Sequence, residues 1–388
     1  MKFYITQNKI VNQKKQSEMI RVSKSIVGKN ESKAVQNIIN NVGYLGMGEE
    51  VRLFENELEA YIGNPDYKAI CVNTGTSALH LALESVTNPG DEVLVPSFTY
   101  IATYQAITAA GCIPISCEIN ESTLLIDLKD AERRITNKTK VIMPVLYASN
   151  PSNLSKLYSF SKKFNLRVIE DAAHAFGCIY NGIKIGAQGD IVCFSFDGIK
   201  NITSGEGGAI FTSDVKVIDY IKDARLLGVE KDTEKRFKGE RSWNFDVSIQ
   251  GYRYHMSNIF AAIGRVQLKR FEKEFAVSRK KIAKKYTNLL KNNKNIKLIE
   301  MDYENIVPHI FPILVINNLR DQLFDILLEN SIQCGIHYKP NHMLTKYKSS
   351  YSLPVSEMTY DQVLTLPLHP DINEDVVIRI CEIINKKI

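Results

Sequence analysis

A lysine and an aspartate, each placed just beyond an apolar run, are the residues of this chain best suited to chemistry. Lys200 follows the run Ile191, Val192, Phe194, Phe196 and the turn Asp197-Gly198, and precedes Gly205, Gly207 and Gly208. A lysine held beside apolar walls loses its proton readily, because burial disfavours the ammonium form. A neutral amine is the nucleophile that forms a Schiff base with an aldehyde. A solvated loop lysine is the plainer alternative. Asp171 ends the stretch 167–170 and leads into Ala172, Ala173 and His174. A carboxylate at the C-terminal end of a strand lies where α/β proteins place ligand contacts, and the two alanines leave room for a flat ligand; a helix N-cap is the alternative. Upstream, Gly75, Thr76 and Ser77 join an apolar run at 69–72 to a helical pattern reaching residue 83. A strand, a glycine–hydroxyl loop and a helix point backbone N–H groups and a helix dipole at an anion, although Thr76 or Ser77 could equally be a simple cap. Tyr100, at the mouth of the strand 93–96, could stack on a flat ring or join the core.

The elements that must position these groups alternate. Strand patterns at 69–72, 93–96, 113–117, 140–145, 167–170, 191–196 and 209–211 are interleaved with helical ones at 51–62, 75–83, 101–110, 128–135 and 154–164. That order predicts a mainly parallel, doubly covered sheet. Residues 230–244 are charged and poor in apolar side chains and are expected to form a long, mobile loop. A long helix is expected from 258, extending to 290 in its longest reading. A smaller α/β unit follows, with strands at 296–299 and 311–316 and helices at 320–330 and 374–384. The expected division is an N-terminal extension (1–20), a large domain (21–265) and a small C-terminal domain (266–388).

Composition bounds the function. The chain has 388 residues, 44% hydrophobic and 24% charged, with a net charge of +6, as in an ordinary globular protein. Lysines such as Lys280, Lys281, Lys284 and Lys285 read as solvated helix faces rather than a nucleic-acid footprint. The 7 cysteines show no metal-site or disulfide spacing. Free cysteines, no membrane-length apolar run and a polar N-terminus point to a cytoplasmic protein with no membrane association.

In order along the chain come G-Y-L-G-M-G, N-T-G-T-S-A-L, P-G-D-E-V-L-V-P-S-F-T-Y, I-E-D-A-A-H-A, F-S-F-x-x-x-K-N-I-T-x-G-E-G-G, G-Y-x-Y-x-M-S, H-Y-x-P-x-H and L-P-L-H-P. Together these resemble the DegT/StrS family of pyridoxal-phosphate nucleotide-sugar aminotransferases, from about residue 20 to the end. The resemblance implies a fold-type I transferase, with a large domain built on a mainly parallel seven-stranded sheet and a smaller C-terminal α/β domain. It implies pyridoxal 5'-phosphate as cofactor, with pyridoxamine phosphate carrying nitrogen between half-reactions. Lys200 would hold the cofactor as a Schiff base and move protons. Asp171 would pair with the pyridine nitrogen, His174 would contact the phenolic oxygen or ring, and Tyr100 would stack on it. Gly75, Thr76, Ser77 and Ser195 would hold the phosphate, and Arg253 would reach the phosphate of a partner subunit, so that a homodimer shares its active sites. Tyr44, Tyr147, His337, Tyr338 and His342 are the expected substrate contacts.

Three positions depart from the family pattern: Arg253 replaces an asparagine, His255 an arginine, and Leu146 a histidine. An intact Lys200 argues against the dehydratase branch, in which histidine replaces the lysine. The expected activity is amination of a keto-6-deoxy sugar on dTDP or UDP, at the 4-keto position, with L-glutamate as donor, for O-antigen or capsule synthesis. A 3-keto sugar or a smaller keto substrate is the alternative within enzymes, and a non-catalytic, cofactor-binding regulator the alternative outside them.

Overall fold

Alternate residues of the central strands belong to two different cores. Ala69, Cys71, Val192, Phe194, Ala209 and Phe211 pack in one cluster, while Ile70, Val72, Ile191, Cys193 and Ile210 pack in another. Successive side chains of a strand point to opposite faces, so apolar residues at every position require cover on both sides. The computed structural model describes residues 19–241 and 243–388. Its strands are β1 (Lys68–Val72), β2 (Glu92–Pro96), β3 (Ile113–Cys117), β4 (Thr139–Ile142), β5 (Arg167–Asp171), β6 (Ile179–Tyr180), β7 (Ile183–Lys184), β8 (Ile191–Ser195), β9 (Gly208–Thr212), β10 (Ile296–Leu298), β11 (Phe311–Val315) and β12 (Val363–Leu366).

Seven of these form one sheet in the order β1-β9-β8-β5-β4-β2-β3. The β3–β2–β4–β5–β8 pairings are parallel, and β9 alone runs against its neighbours β8 and β1. The carboxyl ends of β1, β2, β5 and β8 therefore meet along one rim, and β9 starts there. On one face the helices Glu49–Ile62 and Asn258–Arg270 pack against each other. On the other lies Gly75–Glu84, against β8 and β9. A separate antiparallel sheet, β10-β11-β12, shares a core with the helices Val277–Leu290, Arg320–Glu329 and Glu374–Lys387.

Several elements differ from the sequence expectation. The 230–244 stretch is not wholly loop: Asp232–Phe237 is a helix. Arg236 Nε pairs with Asp232 Oδ2 at 2.7 Å one turn away, and the Thr233 hydroxyl donates to the Lys222 carbonyl at 2.9 Å. This docking, not an apolar stripe, stabilises the turn, so periodicity could not reveal it. The strand expected over 140–145 stops at Ile142, with only a bridge from Val145 to Asp171 beyond it. The helix expected over 128–135 ends at Arg133. The hairpin β6–β7, the strand β12 and the helix Pro354–Gln362 were not anticipated. The long helix does reach Leu290, but through a wider π-type stretch, Phe271–Ala276. Of the expected N-terminal extension, residues 1–18 lie outside the described part; Ile20 already exchanges backbone hydrogen bonds with Ser331 and Gln333.

Candidate active site

Each strand end on the rim delivers one group to a cavity of about 420 Å³. From β1 the chain turns at Thr74, whose hydroxyl accepts the Ser77 N–H at 3.0 Å and starts the helix Gly75–Glu84. Gly75 and Thr76 line the cavity, and first-turn N–H groups have no partner inside their own helix. Gly75 must be a glycine: a Cβ there would sit 2.7 Å from that of Ser195, which arrives from β8 and also lines the cavity. From β2 comes Tyr100, 58% exposed, its ring 5.5 Å from that of Tyr338.

β5 delivers Asp171. Its carboxylate is buried, accepting the Thr103 hydroxyl at 2.8 Å and the Ala173 N–H at 3.2 Å. Burial raises its pKa, opposed by those hydrogen bonds and by the Lys200 charge. One turn on, the buried His174 shares a 3.2 Å hydrogen bond between Nε2 and the Tyr338 hydroxyl, and its Nδ1 has no partner among the described residues. Burial, followed by the Lys200 and His337 charges, holds the His174 imidazole neutral.

Lys200 stands beyond β8. A turn closed by Lys200 N–H donating to the Asp197 carbonyl at 3.1 Å presents it. Asn201, buried next to it, donates to the carbonyls of Phe176 and Val307, at 3.0 and 3.1 Å, so the turn is tied to the loop after β5 and to the segment before β11. Burial lowers the Lys200 pKa, with Asp171 and Asp197 pulling the other way. The amine is thus shifted towards its nucleophilic form.

The opposite wall comes from the second sheet. It includes His309, His337, Tyr338 and Thr365. His337 Nδ1 lies 2.9 Å from the Thr365 hydroxyl, and the His309 ring packs 4.5 Å from that of His174.

Of the residues expected from sequence, Gly75, Thr76, Tyr100, Asp171, His174, Ser195, Lys200, His337 and Tyr338 meet in this cavity. Others lie elsewhere. Ser77 is buried, its hydroxyl bonded to Asn73 Oδ1 and Thr74 Oγ1 at 2.7 and 2.8 Å. Tyr147 is fully buried behind the wall, donating to the His337 carbonyl at 2.6 Å. His342 is clamped between Ser97 Oγ at 2.7 Å and Glu357 Oε1 at 3.1 Å. Tyr44 accepts Asn258 Nδ2 on its carbonyl at 2.9 Å, away from the cavity. Arg253 is exposed, and its guanidinium has no hydrogen bond or ion pair among the described residues. Sequence reading missed Thr103 and His309. Thr103 lies one turn past Tyr100, a position a helix start could have flagged; His309 sits in no local pattern.

The DegT/DnrJ/EryC1/StrS aminotransferase family model matches residues 25–385. The chain belongs to this family. An uncharacterized protein of Methanocaldococcus jannaschii is 34% identical over 356 residues, spanning 88% of this chain and 91% of its own. Among solved structures, the aminotransferase PseC of Helicobacter pylori, involved in pseudoaminic acid biosynthesis, superposes with a TM-score of 0.86 at 26% identity, covering 95% of this chain and 98% of that one. A Streptococcus pneumoniae protein described as a sugar aminotransferase, in its PMP form, gives 0.86 at 28% identity, covering 95% and 97%. The chain is a pyridoxal-phosphate-dependent transaminase acting on sugars, with the fold-type I architecture. The residues present fit that cofactor. An amine shifted towards neutrality, a buried carboxylate, an orphaned imidazole nitrogen and a helix start open for an anion all border one cavity. Among the described residues, no helix is long and apolar enough to cross a membrane.

Proposed function

We propose that the chain aminates the keto group of a nucleotide-linked 6-deoxy sugar, by preference a 4-keto hexose on dTDP or UDP. The proposed donor is L-glutamate and the proposed setting the synthesis of bacterial surface polysaccharide. The observation that carries the reading is the convergence of Lys200, Asp171 and His174 on one cavity that also opens onto the start of Gly75–Glu84. Pyridoxal phosphate, when bound, supplies an aldehyde that takes up the donor's nitrogen and a ring that accepts electrons from the adjacent carbon. Asp171 would hold a proton on the ring nitrogen, and Thr103 and the Ala173 N–H fix the carboxylate that does so. Lys200 would carry the cofactor between turnovers and, once released, remove and return the proton at the reacting carbon. The N–H groups of Gly75 and Thr76, with Ser195, would bind the phosphate. His174 would face the phenolic oxygen, and Tyr100 would cover the ring. The reading includes a homodimer in which the unpartnered Arg253 serves the phosphate of a second copy. The likeness to the Streptococcus pneumoniae sugar aminotransferase lends support to the substrate class.

Transfer of label from 15N-glutamate to a panel of keto nucleotide-sugars tests the reading. A labelled amino sugar from a 4-keto substrate is the expected product. Labelling of a 3-keto sugar alone would replace the ring position, and cofactor binding without any transfer would favour a regulatory protein.

A further inference from the structure

We infer that His309 receives a carboxylate of the amino donor; the inference rests on the proposal that the donor is an amino acid. Such a donor brings at least one carboxylate into a cavity that has no arginine among its described lining residues. Asp171, Asp197 and Glu206, also in the lining, repel it. The lining groups that can carry positive charge are Lys200, His174, His309 and His337. Lys200 is committed to the cofactor in the proposed reaction. His174 shares its Nε2 with the Tyr338 hydroxyl, and His337 its Nδ1 with Thr365. His309 differs from both. It is 4% exposed, its Nδ1 is buried without a partner, and neither ring nitrogen has a hydrogen-bond partner among the described residues. A buried polar group without a partner calls for an explanation, and among the described residues lining the cavity only His174 and His309 carry such a group.

The backbone around this ring is fixed. The His309 N–H donates to Ser149 Oγ at 3.0 Å, and the same hydroxyl donates to the His174 carbonyl. The His309 carbonyl accepts Arg279 Nη1 at 3.1 Å. The two imidazoles are therefore held side by side through one buried serine, which is in the left-handed conformation at φ 73°. The ring of His309, which lines the cavity, is the part left without a hydrogen bond among the described residues. Arg253 does not supply the missing cation, because the proposed dimer assigns it to the phosphate.

The charges facing His309 make the contact proton-linked. Burial, then Lys200, His174, Arg279 and His337, all hold the empty imidazole neutral, well below its usual pKa. A bound carboxylate opposes them and raises that pKa. Binding then draws one proton from solvent onto the ring, and affinity increases as pH falls towards the pKa of the bound state.

Calorimetric titration of the holoenzyme with glutarate, a dicarboxylate without an amine, in buffers of different ionisation heat at neutral to mildly acidic pH reads both affinity and proton uptake. The wild type should take up as much as about one proton per site. His309→Gln should lose that uptake and bind about tenfold more weakly, as expected for a lost charge-assisted hydrogen bond. The KM for glutamate should rise, with that for the keto sugar unchanged. His309→Asn, checked by its cofactor absorbance, guards against a folding defect in the first variant. Equal affinity and equal proton uptake in both variants would overturn the inference alone. Failure of the wild type to bind glutarate would overturn it too, and the 15N transfer would then show whether glutamate is the donor at all.

Discussion

The two walls of the cavity are built on different terms. On the large-sheet rim, every chemical group stands within a few residues of a strand end: Gly75 after β1, Tyr100 after β2, Asp171 at the end of β5, Lys200 after β8. On the opposite wall, His309, His337, Tyr338 and Thr365 come from around the second sheet, more than 100 residues beyond Lys200. Their orientation depends on long-range contacts such as Tyr147 to the His337 carbonyl and Asn201 to the Val307 carbonyl. In the proposed reaction the rim carries the cofactor chemistry, and sheet register fixes where its groups stand. The far wall is held by side-chain contacts and by the second sheet, to which Thr365 belongs.

Breaking the rim should therefore cost the most. Asp171→Asn should retain cofactor but lower kcat by about a hundredfold or more, since a neutral amide does not hold a proton on the ring nitrogen. Thr103→Val, which removes the 2.8 Å hydrogen bond to that carboxylate, should follow in the same direction with a smaller loss, and steady-state kinetics on both variants checks the order. Unchanged turnover in Asp171→Asn would remove Asp171 from the chemistry.

A middle-sized effect is expected at Arg253, which lies outside both walls. Arg253→Ala should weaken pyridoxal phosphate about tenfold, measured by equilibrium dialysis, and mixing it with Lys200→Ala subunits should restore part of the activity. Zero activity after proven subunit exchange would confine Arg253 to its own chain.

Much of this was legible in the sequence, and the division follows the same line. Strand ends next to glycines and small residues have local signatures, which marked Lys200, Asp171 and the start of Gly75–Glu84 as candidates, while the roles expected of them came from the resemblance carried by the motifs together. The sequence motifs also led to Tyr147 and His342, yet both are spent on internal hydrogen bonds behind the wall. A motif records that a residue is needed without recording which way it faces. His309 carried no local signal at all, because its place beside His174 arises from packing between the two sheets. The helix Asp232–Phe237 was hidden for a similar reason, being held by an ion pair and docking rather than by an apolar stripe.

The smallest effect is expected on the far wall. Tyr338→Phe removes only the hydroxyl that meets His174 Nε2 at 3.2 Å. Turnover should fall by about two- to fivefold, while the preference among keto sugars in a competition assay should shift. A loss as large as that of Asp171→Asn would show that both walls carry the chemistry.

Lys200 is the proposed point of covalent attachment. Borohydride reduction of the holoenzyme followed by peptide mapping should find the reduced cofactor on the peptide bearing Lys200, and Lys200→Ala should leave no covalent adduct. An adduct on any other lysine would contradict the assignment of the strand-end rim as the seat of the cofactor chemistry.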